Sequence, residues 1–355
     1  MANIRIVRVL ISLLMCIAFL AIPSANVQAA APPDPAWWAR YGADTSGYGS
    51  DVRIAADSLG NVFVALYSYG INGSIIVKYG KDYVQGQAPA WVVTVADVYS
   101  NYTVNDITVD STGVYVTGEG YDGSWNDVLH TLKYDLATGA MLWASPATCP
   151  GEGPAHIALD STGVYVNGSV WRTSEDYVTV KYDKGTGAVC AGWPVYYDGV
   201  EDNDNDYAKD IAVYSGGVYV TGYSEKYYPD APYHDNYFDI ATVKYDSTSG
   251  AQLWAHRIFT WDSDDEDECY IAADSSGVYV AAASYLGDNR DTMTVKYPLN
   301  SATPLWGPVY YGGTYDDDVP AGIAVDSSGV YVTGNVEDSS GDGHYYTRKY
   351  GAADG

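Results

Sequence analysis

Acidic residues recur at matched places in the second half of the chain. When the sequence is aligned on a repeated tight turn, two places before that turn are acidic in three successive units. The first place, ten residues before the turn, holds Asp204, Asp264 and Asp316, and the second, two residues later, holds Asp206, Glu266 and Asp318. Asp202 precedes the first of these residues in the alternating segment 202–206. Calcium prefers six to eight hard oxygen ligands, so the pattern predicts a calcium site formed by these carboxylates.

The alternating segment departs from a complete EF-hand calcium loop. Tyr207 stands where the sharp-turn glycine belongs, and Val213 stands where the bidentate glutamate belongs. A solvated acidic surface is the competing explanation, because runs of charge are commonly just exposed. The sequence leaves both explanations open, and the matched positions in three units are the reason to consider metal.

The overall charge restricts the partners. The chain has 45 acidic and 18 basic residues and a formal net charge of −27. Binding to a nucleic-acid backbone needs a basic face, and an anionic membrane surface would repel this chain for the same reason. We therefore expect no nucleic-acid partner and no membrane insertion. A cationic ligand, a glycan or another protein remains as the partner.

The N-terminal segment predicts export. Arg5 and Arg8 precede an apolar run at 9–22 that carries no charge, and the small-residue site 27–29 follows. These are the parts of a secretory signal peptide, and the apolar run is shorter than the roughly 18 to 20 residues of a membrane helix. We expect a signal peptide over residues 1–29 and one domain over residues 30–355, in a secreted, periplasmic or cell-surface protein.

Three cysteines follow the predicted signal peptide. Cys149 and Cys190 lie in the same repeat and are the pair to consider for a disulfide, while Cys269 lies apart. Export permits oxidation, but sequence spacing does not establish the Cα separation that a disulfide needs.

The acidic residues belong to a unit that is repeated six times. Each unit has an apolar strand, a turn of the Asp-Ser-x-Gly type, a Val-Tyr-Val strand, a strand that ends in Lys-Tyr, and a fourth strand that carries tryptophan. The turns are at 57–60, 110–113, 160–163, 214–217, 274–277 and 326–329. The tryptophans are Trp91, Trp143, Trp193, Trp254 and Trp306. A period of about 50 to 60 residues is typical of one four-stranded blade of a propeller, and the turn glycines Gly113, Gly163, Gly277 and Gly329 are expected to have positive φ.

The two ends of the chain complement each other. The sixth unit ends shortly after Lys349-Tyr350 and lacks a fourth strand, whereas residues 37–42, with Trp37 and Trp38, precede the first unit without a blade of their own. Joining these ends leaves no open strand edge. The sequence therefore predicts an all-β fold, a six-bladed β-propeller of four-stranded blades, whose ring is closed by the N-terminal strand completing the last blade.

This repeated pattern resembles the SBBP family of secreted β-propeller repeats over nearly all of residues 36–350. The resemblance implies architecture and an extracellular or surface location, without a defined activity. Residues 135–143 also look like the tryptophan-docking motif of pyrroloquinoline-quinone dehydrogenases, which implies that Trp143 stacks between neighbouring blades. No quinone ligands can be assigned here, so this second resemblance concerns packing.

The function that these features favour is a non-catalytic, exported binding or surface-interaction module, with calcium in its acidic loops and no other cofactor. The alternative is a secreted hydrolase or lyase with its site over the central channel. Neither a Gly-x-Ser-x-Gly elbow nor a His-Glu-x-x-His motif is present in the sequence. A convergence of arginine, histidine and carboxylate over the channel would favour the enzyme, whereas carboxylates and aromatic rings alone would favour binding.

Overall fold

The computed structural model describes residues 52–68, 73–95, 102–122, 124–199, 204–227, 236–262, 268–285, 289–312, 317–337, 343–353 and 355. The predicted signal peptide and the predicted closing strand at 37–42 lie outside these ranges. Within the described part, no helix has the length and apolarity needed to cross a membrane.

The described residues form 23 strands. They are β1 Val52–Ala56, β2 Val62–Ser68, β3 Gly73–Tyr79, β4 Trp91–Thr94, β5 Thr103–Asp110, β6 Gly113–Tyr121, β7 Asp127–Tyr134, β8 Ala147–Pro150, β9 Glu152–Leu159, β10 Val164–Trp171, β11 Glu175–Tyr182, β12 Val195–Tyr197, β13 Asp206–Tyr214, β14 Gly217–Tyr227, β15 Asn236–Asp246, β16 Gln252–Asp262, β17 Cys269–Asp274, β18 Gly277–Tyr285, β19 Arg290–Tyr297, β20 Trp306–Tyr311, β21 Asp318–Asp326, β22 Gly329–Glu337 and β23 Gly343–Tyr350.

Each sequence unit forms one antiparallel sheet whose neighbouring strands follow chain order. We name these sheets blades A to F: β1–β4, β5–β8, β9–β12, β13–β16, β17–β20 and β21–β23. Blades A to E have four strands, and blade F has three within the described residues. The first strands of successive blades pack side by side from β1 to β21. The prediction of an all-β fold with six repeated sheets is thus confirmed, while ring closure concerns residues outside the described ranges.

Strand direction gives the molecule two chemically different faces. Because neighbouring strands are antiparallel, the turns between first and second strands and the Lys-Tyr pairs lie at one side, which we call the turn face. The hairpins between second and third strands and the links between blades lie at the other side, which we call the link face. The first residues of β13 and β21, Asp206 and Asp318, are on the link face.

The turns depend on their aspartates more than on glycine conformation. In blade B the Asp110 carboxylate accepts hydrogen bonds from the backbone N–H and the hydroxyl of Thr112, both at 2.7 Å. The predicted positive φ is found at Gly277 and Gly329, at 152° and 145°. It is not found at Gly113 and Gly163, where the prediction was wrong. The aspartate fixes the turn before the glycine, and a Cβ on Gly113 would lie 2.7 Å from the side chain of Lys133, so close approach is what requires glycine there.

Blade D lacks the turn aspartate and uses a different turn. Tyr214 stands at the aspartate position, and the two turn residues Ser215 and Gly216 have φ values of 49° and 78°. Positive φ at both central residues is typical of a type I′ turn, which matches the twist of a two-residue hairpin without help from a side chain.

A second repeated glycine faces a β-bulge in the first strand. The register shifts between Ala208 and Asp210, beside the pair formed by Ala208 and Gly222. A Cβ on Gly222 would lie 2.0 Å from the carbonyl oxygen of Tyr207. Blades B and F have the same arrangement at Gly118 and Gly334. Blade E has no shift in this ladder and carries Ala282 at the equivalent place.

Tryptophan and lysine fasten each blade to the next one. The ring of Trp143 in blade B lies between Tyr115 of its own blade and Tyr182 of blade C, at centroid distances of 6.0 and 6.4 Å. This confirms the expected stacking between blades, although Trp143 and Trp193 precede the fourth strands β8 and β12 and are not part of them. Lys133 Nζ and Trp143 Nε1 both donate to the Lys184 carbonyl oxygen in blade C, at 2.8 and 3.2 Å.

The lysine contact recurs from blade A to blade E and points toward the next blade. Five of the six lysines of the Lys-Tyr pairs donate to the carbonyl two residues after the following Lys-Tyr pair, whereas Lys349 of blade F donates to Ser328 Oγ of its own blade. The contacts join Lys78 to Leu136, Lys133 to Lys184, Lys181 to Ser247, Lys244 to Leu299 and Lys296 to Ala352. We call these contacts the lysine clasps.

Candidate functional site

Three aspartates converge at the link face between blades C and D. Asp176 is the second residue of β11, Asp198 follows β12, and Asp206 begins β13. One carboxylate oxygen from each residue lies within 4.8 Å of those of the other two. Among the described residues, this is the one group of three or more acidic, histidine or cysteine side chains whose ligand atoms converge so closely. Such an arrangement can hold a metal ion.

The Asp206 carboxylate has one oxygen satisfied and one oxygen without a donor. The side chain is fully buried, and its Oδ2 accepts the backbone N–H of Gly199 at 2.7 Å. Its Oδ1 accepts no hydrogen bond of ordinary geometry from the described residues, although the Ser224 hydroxyl and the Arg257 guanidinium are close enough to lower the pKa of this carboxyl. Burial raises the pKa of Asp206 to about 7, because the charged form loses its hydration. A cation at Oδ1 would restore the missing interaction.

Gly199 leaves an open place in front of this oxygen. A Cβ built on Gly199 would lie 3.0 Å from Asp206 Oδ1, 2.7 Å from Ser224 Oγ and 3.0 Å from Arg257 Nη1. These three polar atoms therefore border the same small space. Arg257 is also engaged by Asp239, since its Nε donates to Asp239 Oδ2 at 3.0 Å.

The Asp176 side chain is buried and accepts hydrogen bonds from the short loop that precedes β11. Its Oδ2 accepts a hydrogen bond from Arg172 Nη1 at 3.1 Å, and its Oδ1 accepts one from Ser174 Oγ at 3.2 Å. Burial raises the pKa of Asp176, and the nearby charge of Asp198 adds to this effect. Arg172 is half exposed, so its charge is strongly screened. The cluster retains an excess of negative charge.

The structure places the predicted ligands differently from the sequence alignment. Asp206 is in the cluster, whereas Asp204, in the loop before β13, is not. Asp318 begins β21 in blade F and is fully buried. The other predicted ligands lie outside the described residues: Asp202, Asp264, Glu266 and Asp316.

Asp318 occupies a setting related to that of Asp206. Asp291 of β19 has the place in blade E that Asp176 has in blade C, five residues before the lysine of the Lys-Tyr pair. Burial, followed by the charge of Asp318, raises the pKa of Asp291. Gly312 follows a Tyr-Tyr pair, as Asp198-Gly199 does in blade C, but no aspartate precedes it. The described residues of this setting thus supply two carboxylates where the first setting supplies three.

Two members of the cluster were missed by sequence reasoning. Asp176 shares its place before Lys-Tyr with Asp239 and Asp291 in the next two units, and that column could have been noticed. Asp198 has no matching residue in the corresponding segment of blade E. Alignment on the turn compares equivalent strands, but this cluster joins the third strand of one blade to the first strand of the next.

A cleft lies beside the cluster on the link face and spans blades B, C and D. Its volume is about 430 Å³, and its lining includes Glu119, Glu152 and Glu175. Glu175 is 8% exposed, and burial together with the adjacent Glu152 raises its pKa to about 7. Burial also raises the pKa of Glu119. The cleft is therefore an acidic region distinct from the aspartate cluster.

The first strands bring a histidine between two carboxylates. His156 Nδ1 in blade C lies 3.6 Å from Asp106 Oδ2 of blade B and 3.8 Å from Asp210 Oδ1 of blade D. Both aspartates also accept a backbone hydrogen bond from the following blade. Asp106 accepts the backbone N–H of Ile157 and Asp210 accepts that of Ile271, each in the following blade.

The place of His156, four residues before the turn, has an equivalent in every blade. These equivalent residues are Arg53, Asp106, Asp210, Tyr270 and Gly322. Burial raises the pKa of Tyr270, and the charges of Asp210 and Arg53 also act on this hydroxyl. Histidine and carboxylate thus meet in the layer of first strands, and an arginine holds the equivalent place in blade A.

Comparison with solved structures supports a propeller-like fold. A polysaccharide lyase of family PL25, an ulvan lyase, superposes with a TM-score of 0.53 and 9% identity over 89% of this chain and 82% of that one. A subtype N11 neuraminidase-like protein of A/flat-faced bat/Peru (H18N11) superposes with a TM-score of 0.44 and 10% identity, over 86% of this chain and 90% of that one. Drosophila Semaphorin 2a superposes with a TM-score of 0.46 and 9% identity, over 81% of this chain and 66% of that one. No protein-family model matches the sequence, and no curated protein matches it. At such identities the likeness concerns the fold alone.

Proposed function

We propose that this protein is an exported β-propeller that binds a divalent cation, calcium by its donor chemistry, at Asp176, Asp198 and Asp206 and serves as a binding module. The observation that carries the proposal is the buried Asp206 Oδ1, which forms no hydrogen bond of ordinary geometry with the described residues and lies close to two other carboxylates. Carboxylate oxygens are hard ligands and suit calcium, and waters complete its shell in many sites. The overall excess of acidic residues also favours a cationic ligand.

The test is calorimetric titration of the purified mature protein with calcium. We expect one site with a Kd in the weak range of extracellular calcium sites, roughly 10⁻⁴ to 10⁻³ M. Calcium at about 10 mM would then stabilise the fold by about 1.4 to 2.7 kcal/mol. Magnesium should give a smaller effect, since it gives up its waters reluctantly. Asp206→Asn should abolish both the heat of binding and the rise in melting temperature.

The matched control is Asp204→Asn. It removes one charge only two residues away, from a carboxylate that the structure leaves outside the cluster, and should leave calcium binding within about twofold of wild type. If the two variants lose calcium binding equally, the ion binds instead at the alternating segment 202–206, as the sequence suggested. Wild-type protein that gives no heat and no change in melting temperature at about 10 mM calcium would contradict the proposal.

A second candidate function is favoured by one observation, the position of His156 between Asp106 and Asp210 in the layer of first strands. Histidine and carboxylate are two of the three parts expected of a hydrolase or lyase site over a central channel, and Arg53, at the equivalent place in blade A, is the candidate for the third. The measurement is release of new chain ends from a panel of polysaccharides. Release that His156→Gln abolishes and Asp206→Asn leaves intact would establish the enzyme, and no release from any polysaccharide would favour binding alone.

Two architectural proposals accompany the function. We propose that the ring closes when residues 37–42 pair with β23, the outermost described strand of blade F. The proposed secretion, and membership of the SBBP-type repeat family, rest on the signal-peptide pattern and on the repeated motif. Closure is tested below by truncation, and export is tested by locating the mature N-terminus in the extracellular or periplasmic fraction.

A further inference from the structure

The acidic cleft on blades B, C and D contains two carboxyl groups in close approach, Glu175 and Glu152. Glu175 is more than nine-tenths buried in the lining of the cleft, its Oε2 accepts no hydrogen bond from an N–H or O–H group of the described residues, and the Glu152 carboxyl is close enough to hydrogen-bond with it only when one of the two is protonated. The backbone of Glu175 is fixed, because its N–H donates to Asn205 Oδ1 at 3.2 Å. Two carboxylates this close repel each other unless a proton or a cation lies between them, which points to a ligand that donates hydrogen bonds or positive charge.

The shape of the cleft does not suit a single small ion. Within the described ranges, convergence of three ligand atoms is found at the aspartate cluster and not at Glu119, Glu152 and Glu175. These three carboxylates are spread around a volume of about 430 Å³, which is in the range of sites for small organic ligands. The ligand must therefore reach several carboxylates with separate groups.

The cleft has little positive charge of its own. Lys209 is the one basic residue in its described lining, and its Nζ lies 6.0 Å from the centroid of the Tyr223 ring. Three glutamates thus face one lysine. Asp127 adds further negative charge nearby, since its charge raises the pKa of both Glu119 and Glu175.

Two exposed tryptophans lie on or next to the strands that carry lining residues of the cleft. Trp171, at the end of β10, is 66% exposed and is the cross-strand partner of Glu175, the first residue of β11. Trp125 is 71% exposed in the hairpin after β6, the strand that carries Glu119, and contacts Tyr121 at a centroid distance of 5.9 Å. Ammonium groups bind the faces of tryptophan and tyrosine rings. We propose that this cleft binds an organic ammonium ion with several amino groups, such as a polyamine, by spreading those groups over its glutamates.

The experiment is calorimetric titration of the full mature chain with spermidine at low and at high ionic strength. We expect one site whose affinity falls as salt rises, because exposed charge pairs are screened. Glu175→Gln and Glu152→Gln should each weaken spermidine binding about tenfold or more, as expected for loss of one charge-assisted hydrogen bond. Glu268→Gln is the control, since Glu268 is exposed and lies in blade E, and it should change the affinity less than twofold.

The design separates this site from the proposed calcium site. Asp206→Asn should abolish calcium binding and retain spermidine binding, while Glu152→Gln should do the reverse. The melting temperature of each variant shows that it is folded, so weak binding cannot be blamed on unfolding. Absence of spermidine heat from wild-type protein would overturn the inference. So would loss that is equal in Glu152→Gln and Glu268→Gln, or binding of a neutral disaccharide in preference to spermidine.

Discussion

Replacing Gly222 with alanine is expected to lower the free energy of unfolding by at least about 3 kcal/mol, at the upper end of ordinary overpacking costs. The new Cβ would lie 2.0 Å from the Tyr207 carbonyl oxygen and 3.0 Å from the Ala208 Cα. Both are main-chain atoms, and the bulge that contains them cannot shift freely, because Asp210 holds the N–H groups of Ile211 and Ile271. Urea denaturation followed by tryptophan fluorescence measures the loss.

Blade E supplies the matched control for this prediction. Ala282 occupies the equivalent place, is fully buried, and faces a ladder without a bulge. Ala282→Gly should cost only about 1 kcal/mol, as expected for a glycine placed within a strand. Similar losses in the two variants would mean that the bulge is free to move and that the repeated glycine has another purpose.

Truncation of the N-terminal segment is expected to abolish cooperative unfolding. If residues 37–42 pair with β23, a mature protein that begins at residue 43 exposes the outer edge of blade F, and exposed edges promote aggregation. The side chains of β23 are already mostly exposed, and Tyr345 is 79% exposed. The expected result is loss of a sharp thermal transition, together with aggregation in size-exclusion chromatography.

A shorter truncation provides the comparison. Removing residues 30–35 shortens the N-terminus but keeps Trp37 and Trp38, so this protein should melt as the full mature chain does. If the protein that begins at residue 43 also remains monomeric with an unchanged melting temperature, the closure proposal is wrong, and blade F is complete without the N-terminal strand.

The blades could be predicted because their determinants are local. The turn aspartates, the Val-Tyr-Val strands and the Lys-Tyr pairs recur in every unit or nearly so, and each acts on residues close to it in the chain. The exact fourth-strand boundaries could not be predicted from these signals. Trp143 and Trp193 pack between blades without belonging to β8 or β12, because burial of the ring does not require strand geometry around it.

The candidate site was only partly predictable because it depends on contacts between blades. Asp206 was identified from its place before the turn, whereas Asp176 lies in the third strand of the preceding blade and Asp198 follows its fourth strand. Their proximity depends on how β11, β12 and β13 pack, which no pattern within one repeat encodes. The setting of the Asp206 carboxylate depends further on Gly199, whose N–H donates to Oδ2 and whose lack of a Cβ leaves space beside Oδ1. Both contacts result from three-dimensional packing.

The lysine clasps also affect how such a chain can diversify. Every acceptor is a main-chain carbonyl, so a blade can be joined to its neighbour whatever side chain that neighbour carries at the contact. The clasps are at the turn face, whereas the aspartate cluster and the acidic cleft are at the link face, on the opposite side of each sheet. Mutations can therefore alter the ligand-facing loops of one blade without weakening its attachment to the next. A chain of this design can acquire new binding specificities while the joints between its units stay the same.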